Sequence, residues 1–453
     1  MVGAGLIFPE PVSRNNSKAP LTNCQVYLTF CQTHLPVEQL SGLARPSRLD
    51  SDATTCRNER KTDLIPPEGR AIRLPILLGL GAAALTCSAQ PQVPLFDPAN
   101  GSPFRTGDRP QDVVVCDIDG DESPDILTAN SGSDDVSVWV GDGGGGFRPA
   151  TASPVGTGIA SHLIVCADLT GDGHPDVAVT SHDSHDVVIL PGDGEGGLGA
   201  AARLRVAASS SGEPHNHGLL AVDLDGDGNL DIVTTNQEEQ SVSVLLADGA
   251  GGFTPAPGSP LPVGRMPYLP AAGDVDGDGR LDLAIPNARD GDVTILLGKA
   301  DGSFSVAPGS PYSVESRPYF TGLADLNGDS ELDLVTSHAD TSLLTILIGD
   351  GAGGFVSAPG SPVDAENRGY KVRFGDVNLD GQIDLITSGG PRVAVLLGDG
   401  QGSFAPAPGS PFATGSGSWG LAVADVDSDG DLDIVTSNSD DDSASVLLGH
   451  GSG

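Results

Sequence analysis

The stretch Leu220–Phe253, LAVDLDGDGNLDIVTTNQEEQSVSVLLADGAGGF, decides how the rest of the chain is read. Three apolar residues lead into Asp223, and acids then stand at Asp225, Asp227 and Asp231 with Gly226 and Gly228 between them. The run DIVTTN follows, then SVSVLLA, then a Gly-rich turn that ends on Phe253. Short β-branched and apolar runs punctuated by Gly and Asp clusters are the pattern of strands and turns. The acidic core recurs seven times, starting at Asp117, Asp168, Asp223, Asp274, Asp325, Asp376 and Asp425, at steps of 51, 55, 51, 51, 51 and 49 residues. Around each core the apolar runs recur as well, and a Pro-Gly-Ser-Pro segment leads into most units. Each unit has room for about four short strands, one blade of an all-β propeller.

The two ends of the repeat fit a closed ring. In six units the Gly-rich turn is followed by Phe147, Leu198, Phe253, Phe304, Phe355 or Phe404, and the seventh unit stops in LLGHGSG where that residue is due. Phe96, in LFDPANGSP, lies 21 residues before Asp117, the same spacing as in five of the six units. The N-terminal strand is therefore expected to complete the last blade of a seven-bladed β-propeller of four-stranded blades and remove the open sheet edge. An open solenoid of tandem units does not explain why the first fragment supplies what the last unit lacks.

The acidic cores have a fixed register. Positions 1, 3, 5 and 9 are Asp117, Asp119, Asp121 and Asp125 in the first, then Asp168, Thr170, Asp172 and Asp176, then Asp223, Asp225, Asp227 and Asp231. The fourth and fifth have Asp274, Asp276, Asp278 and Asp282, and Asp325, Asn327, Asp329 and Asp333. The last two have Asp376, Asn378, Asp380 and Asp384, and Asp425, Asp427, Asp429 and Asp433. Carboxylates alternating through a glycine-bearing loop converge on one point, and an all-oxygen shell selects Ca²⁺ over zinc or copper. Up to seven structural Ca²⁺ ions are expected, with every ligand position filled by protein. An EF-hand is excluded, because position 12 is Thr234 in the third loop and Ile285 in the fourth, inside strands rather than a bidentate Glu.

With the Asp loop and the Gly-Gly-Phe turn together, the units over roughly 95–453 resemble FG-GAP/VCBS repeats, the calcium-binding blades of integrin α-subunit-type propellers. The resemblance implies Ca²⁺ at the residues above, on the bottom face, and ligands on the top-face loops. Leu379 at position 4 of the sixth loop and Pro124 at position 8 of the first depart from the repeat pattern. The remaining integrin domains are absent, so an integrin role is not implied.

A second register stands six residues before each core: Gln111, His162, His217, Tyr268, Tyr319, Tyr370 and Trp419. Eight residues before the cores come Arg109, His215, Arg317 and Arg368, with Arg265 one place off. The first strand of each unit, taken as the innermost, runs from this register down to the acidic loop, so these side chains should ring the channel mouth opposite the metal. Aromatic faces stack on sugars or cap apolar groups, and Arg forks carboxylates, which points to an acidic glycan or acidic protein segment as ligand. Packing of the aromatics between blades is the competing expectation, and high burial of Tyr268, Tyr319 and Tyr370 would favour it. His174, His182, His185, His215 and His217 include HxH and HxxH spacings open to a transition metal, but they have no companion pattern and are read as loop composition.

Lys and Arg number 23 against 61 Asp and Glu, a formal net charge of −38. That argues against nucleic acid or an anionic membrane as partner, and no apolar run is long enough to span a bilayer. The longest, LPILLGLGAAAL from Leu74, follows Arg70 and Arg73 and precedes Thr-Cys-Ser-Ala, the layout of a secretory signal over 70–89. The preceding 1–69 is read as a misplaced start or an unusual leader, 90–453 as the mature propeller, and Cys87 as the acylation site if the chain is a lipoprotein. Cys116 and Cys166, in VVVCD and LIVCAD, are read as two separate small buried residues, with no disulfide framework. No Gly-x-Ser-x-Gly, HExxH or phosphate-cradling loop is present. The reading is a secreted, cell-surface or periplasmic, monomeric, non-catalytic binding or adhesion module for an extracellular glycan or protein. The alternatives are a polysaccharide lyase-type propeller enzyme and a purely structural surface protein.

Overall fold

A computed structural model describes residues 94–206 and 215–451. The segments read as leader and signal, 1–69 and 70–89 with Cys87, lie outside them. No helix among the described residues is long and apolar enough to cross a membrane.

The chain forms seven antiparallel sheets in sequence order around a ring. In the third blade the strands are Leu220–Val222, Asp231–Asn236, Ser241–Ala247 and Phe253–Pro255, the acidic core being the turn between the first two. Inner strands touch from blade to blade, and Pro110–Cys116 of the first blade touches Ser418–Ala424 of the last. The last blade takes its fourth strand from the other end of the chain: Phe96–Pro98 pairs antiparallel with Ser443–Gly449, with Phe96 opposite Gly449. The seven-bladed, four-stranded architecture expected from the repeat is the one observed.

The apolar runs explain the layering. Each second strand is covered on both faces by neighbouring blades, so DILTAN, DVAVTS, DIVTTN, DLAIPN, DLVTSH, DLITSG and DIVTSN are buried at every residue. Each Ile, Val or Leu so buried contributes about 1.5–3 kcal/mol relative to exposure. The Pro-Gly-Ser-Pro segment has its own role: its serine hydroxyl accepts the backbone N–H of the third strand, as at Val244 N to Ser259 Oγ, 2.9 Å. The same bond occurs at Ser102, Ser153, Ser310, Ser361 and Ser410. The second blade lacks the segment, and its outer strand Ala202–Arg205 pairs directly with Asp186–Leu190.

One expectation is overturned. Cys116 and Cys166 form a disulfide, with Cα atoms 6.4 Å apart. They lie one repeat apart at the lower ends of adjacent inner strands, Pro110–Cys116 and Ser161–Ala167. A single bridge between neighbouring repeats has none of the cysteine density by which a disulfide framework is recognised in sequence.

Across the ring, Lys371 on the inner strand of the sixth blade donates to Asp112 on that of the first, Nζ to Oδ1 2.6 Å, with both side chains buried. The Asp112 carboxylate also accepts the backbone N–H groups of Val113 (2.8 Å) and Ile164 (3.3 Å). Burial pulls the Lys371 ammonium below its usual range while Asp112 opposes the shift. Replacing one member of a buried pair leaves the other charge uncompensated, whereas replacing both does not. Lys371→Met should therefore cost about 3–5 kcal/mol in chemical denaturation, and Asp112→Leu/Lys371→Met should recover most of it. Reduction of Cys116–Cys166 should lower the unfolding midpoint by the equivalent of about 2–4 kcal/mol, read by melting with and without reductant.

Candidate functional site

In each acidic loop the backbone wraps the first aspartate. Asp223 Oδ1 accepts the N–H of Gly226 (2.8 Å) and Asp227 (3.1 Å), and Oδ2 that of Gly228 (2.9 Å). This wrapping needs left-handed backbone at positions 4 and 6, where Gly226 and Gly228 have φ of 78° and 91°. Leu379, at position 4 of the sixth loop, takes φ 58° despite its side chain. Pro124 at position 8 of the first loop does not disturb the arrangement, since Asp117, Asp119 and Asp125 still converge.

The ninth-position aspartates are buried and carry two structural bonds each. Asp231 Oδ2 accepts Leu224 N and Oδ1 accepts Ala247 N at the end of the third strand, both at 2.8 Å. Asp125 does the same with Ile118 and Gly141. The fifth-position acids cap the loop instead, as Asp227 Oδ1 accepts Asn229 N at 2.8 Å.

Carboxylate oxygens of positions 1, 3 and 9 lie within 4.8 Å of one another in four loops: Asp117/Asp119/Asp125, Asp223/Asp225/Asp231, Asp274/Asp276/Asp282 and Asp425/Asp427/Asp433. The other three loops are those with Thr170, Asn327 or Asn378 at position 3. Two third-position oxygens, Asp119 Oδ1 and Thr170 Oγ1, are buried without a hydrogen-bond partner. Clustered carboxylates with orphaned oxygens fit a hard cation. Burial, followed by the neighbouring loop acids, pushes the Asp125, Asp231, Asp282, Asp384 and Asp433 carboxyls up to about 6.

At the opposite end of the inner strands the second register converges on a cavity of about 610 Å³. Gln111, His162, His217, Tyr268, Tyr319, Tyr370 and Trp419 all line it, together with Arg109, Arg317, His182 and His215. Ladder irregularities place several of these side chains: pairing slips between Pro110 and Asp112, Ser161 and Ile164, Pro318 and Phe320, and Ser418 and Leu421. Such bulges re-aim a strand side chain, here Gln111, His162, Tyr319 and Trp419.

The aromatics form a chain across the mouth. Ring centroids are 4.4 Å apart for His217–Tyr268, 4.6 Å for Tyr268–Tyr319, 5.6 Å for Tyr319–Tyr370 and 4.1 Å for Tyr370–Trp419. Tyr268 and Tyr319 are only 9% and 6% exposed, so they make a floor, while Tyr370 and Trp419 are half-buried. The burial comes from aromatic packing across the channel as well as between blades, and it limits any stacking platform to the Tyr370–Trp419 side. Arg109 and Arg317 are exposed and line the cavity, as do Asp183 and Asp440. Arg368 is exposed but outside the lining, and Arg265 is tied to Asp290, Nε to Oδ1 2.6 Å.

On the far side His162, His182 and His217 cluster at tilted angles, with centroids 3.7 Å apart for 162–182 and 4.1 Å for 182–217. His182 follows the second strand of its blade and so stands outside the six-before register. The pairing of Ser181 with Ser161 nevertheless brings it beside His162. That hairpin register was the signal available in sequence. Burial holds His162 and His217 well below the ordinary imidazole range and brings His182 down to about 4.

The FG-GAP-like repeat family matches the chain at residues 117–179, 168–234, 223–285, 325–387 and 376–436. No curated protein matches. Among solved structures, BBS1N in complex with ARL6DN is similar at TM-score 0.52 and 13% identity, covering 77% of this chain and 94% of that one. A catalytically inactive virginiamycin B lyase from Staphylococcus aureus with quinupristin is similar at TM-score 0.50 and 13% identity, covering 78% and 98%. At these identities the likeness is one of fold.

The raised ninth-position carboxyls have a pH consequence. A carboxyl whose folded value lies near 6 against an ordinary 3.8 favours the fold while protonated. That stability is full below about 4 and is lost as pH rises through about 6. In chelator, chemical denaturation from pH 4 to 8 should reveal this decline, and excess divalent cation should flatten it.

Proposed function

The chain belongs to the FG-GAP-like repeat family, and from that premise we propose that it is a secreted, Ca²⁺-stabilised propeller that acts as a non-catalytic binding module. The acidic loops take up to seven Ca²⁺ ions through positions 1, 3 and 9, with position 5 swinging from its capping role to the ion or holding a water on it. Bound Ca²⁺ supplies charge neutralisation for carboxylates that would otherwise repel one another around each loop. The Cys116–Cys166 bridge supports an oxidising, extracytoplasmic setting.

The observation that carries the binding role is the cavity at the channel mouth, where Arg109 and Arg317 stand at the rim and Tyr370 and Trp419 on the wall. Half-buried aromatics beside guanidinium groups suit a ligand with apolar faces and carboxylates, which is an acidic glycan or an acidic protein segment. The family resemblance adds support, since ligands of such propellers are expected on the face opposite the metal loops. The sequence has no Gly-x-Ser-x-Gly, HExxH or phosphate-cradling loop.

Two outcomes check the proposal. Chelation should lower the melting temperature by on the order of 10 °C, restored by Ca²⁺, and an unchanged melt would remove the structural ions from it. On an array of carboxylate-bearing glycans and acidic peptides, the full chain in Ca²⁺ should bind a defined subset. Trp419→Ala and Arg317→Ala, melting like wild type, should bind that subset about tenfold or more weakly. Equal binding by wild type and both variants, or release of unsaturated uronides from the glycans, would overturn the binding-module reading.

A further inference from the structure

The three clustered histidines at the channel mouth are distinct from the acidic loops. A nitrogen of each of His162, His182 and His217 lies within 4.8 Å of those of the other two. His182 Nε2 and His217 Nδ1 are 3.2 Å apart. In a tetrahedral site with metal–nitrogen bonds of about 2.0–2.1 Å, two ligand nitrogens stand roughly 3.3–3.4 Å from each other. The two nitrogens share a hydrogen bond at close to that spacing, so a metal would take the place of its proton, and one nitrogen of each of the three rings lies within 4.8 Å of the others.

A second, independent observation points the same way. His162 is 6% exposed, and its Nδ1 is buried with no hydrogen-bond partner. An imidazole nitrogen at such depth ordinarily finds a donor or an acceptor, and its absence calls for a reason such as an ion. Two other buried histidines lie outside the cluster. His338 has both ring nitrogens occupied, by Ser316 O at 3.1 Å and Thr345 Oγ1 at 2.9 Å. His185 Nδ1 is likewise buried without a hydrogen-bond partner, but what stands beside it is the Glu239 carboxylate, 3.8 Å away, and not other imidazoles.

We propose that His162, His182 and His217 bind one divalent transition-metal ion of the Zn²⁺ class, with its remaining coordination open to the channel-mouth cavity. The donor set excludes Ca²⁺: three imidazoles and no carboxylate suit a borderline metal, whereas Ca²⁺ takes hard oxygen ligands. The three protein ligands leave a fourth position, and all three side chains line the cavity that also holds Arg109, Arg317, Tyr370 and Trp419. A ligand entering there can place an oxygen or carboxylate on the metal while its apolar faces meet the aromatic side. His215, with ring centroids 4.8 Å from His182 and 5.0 Å from His217, is near enough to support the cluster. The site does not depend on the acidic loops holding Ca²⁺ or on the identity of the cavity's ligand.

The full chain, stripped of transition metals and returned to excess Ca²⁺, should be titrated with Co²⁺, whose visible absorption reports nitrogen coordination of low symmetry. One Co²⁺ per chain should bind with an intense visible band, and Zn²⁺ should displace it. His182→Ala, only half-buried in wild type, should retain the wild-type melt in Ca²⁺ and lose at least about tenfold in Co²⁺ affinity. His162→Ala should lose the band as well, and if it fails to fold, His182→Ala decides. His450→Ala, at an exposed histidine that pairs with Asp97, should bind as wild type does. Absence of stoichiometric Co²⁺ binding by the wild-type chain, or an unchanged band in His182→Ala, would overturn the site.

Discussion

Seven buried carboxylates hold this fold together. The last aspartate of each acidic loop reaches back to the N–H of the loop's second residue and across to the end of the third strand, as Asp231 does with Leu224 and Ala247. The pair of bonds locks a turn, whose other acids are half-buried or exposed, to a strand pair that is otherwise apolar. The geometry repeats at Asp125, Asp176, Asp282, Asp333, Asp384 and Asp433. An ionised carboxylate in that setting is tolerable because both oxygens are hydrogen-bonded, and a hard cation against its free lone pairs would complete the compensation. Loop conformation and blade pairing therefore rest on the same seven side chains.

Much of this was legible in the chain itself because the repeat is strict. The spacing of the cores, the closing Phe residues and the displaced Phe96 are sufficient to derive a ring of seven blades, and the strand pairing of Phe96 with Gly449 follows that arithmetic. The residues that converge in the loops were legible by register, though their division of labour was not. Sequence gives the alternation of acids, and only the backbone path separates the converging positions 1, 3 and 9 from position 5, which turns back onto the residue two places on. The disulfide was missed because its two cysteines look like ordinary small residues in apolar runs. Their pairing depends on neighbouring inner strands bringing the same end of consecutive repeats to 6.4 Å.

The channel mouth was legible in part. Counting six residues back from each core identifies seven side chains that line one cavity, yet it does not say whether they present faces or bury them. Burial depends on how far the rings extend toward one another across the channel, a tertiary property. Tyr319 touches Tyr268, Tyr370 and Trp419 at once and is lost to solvent, whereas Tyr370 and Trp419 stack nearly parallel, 11° between planes, and keep an edge open.

The mouth is also where the ring abandons its symmetry. Below it, the seven blades carry nearly the same acids, the same Gly turns and the same buried strands, because each must satisfy the same packing. The residue six places before the core packs instead on its counterparts around the channel, as Tyr319 does on Tyr268 and Tyr370, and its identity differs from unit to unit. Histidine stands there in the second and third blades, tyrosine in the fourth to sixth, tryptophan in the seventh. The result is a cavity with an imidazole side and an aromatic side, joined where His217 meets Tyr268 at 4.4 Å. The second blade also has the one irregular outer strand and the longest step to the next core, 55 residues, and it supplies His162 and His182. Departure from the repeat is thus concentrated where the histidines gather, as expected when a scaffold fixed by its loops leaves one end free to acquire chemistry.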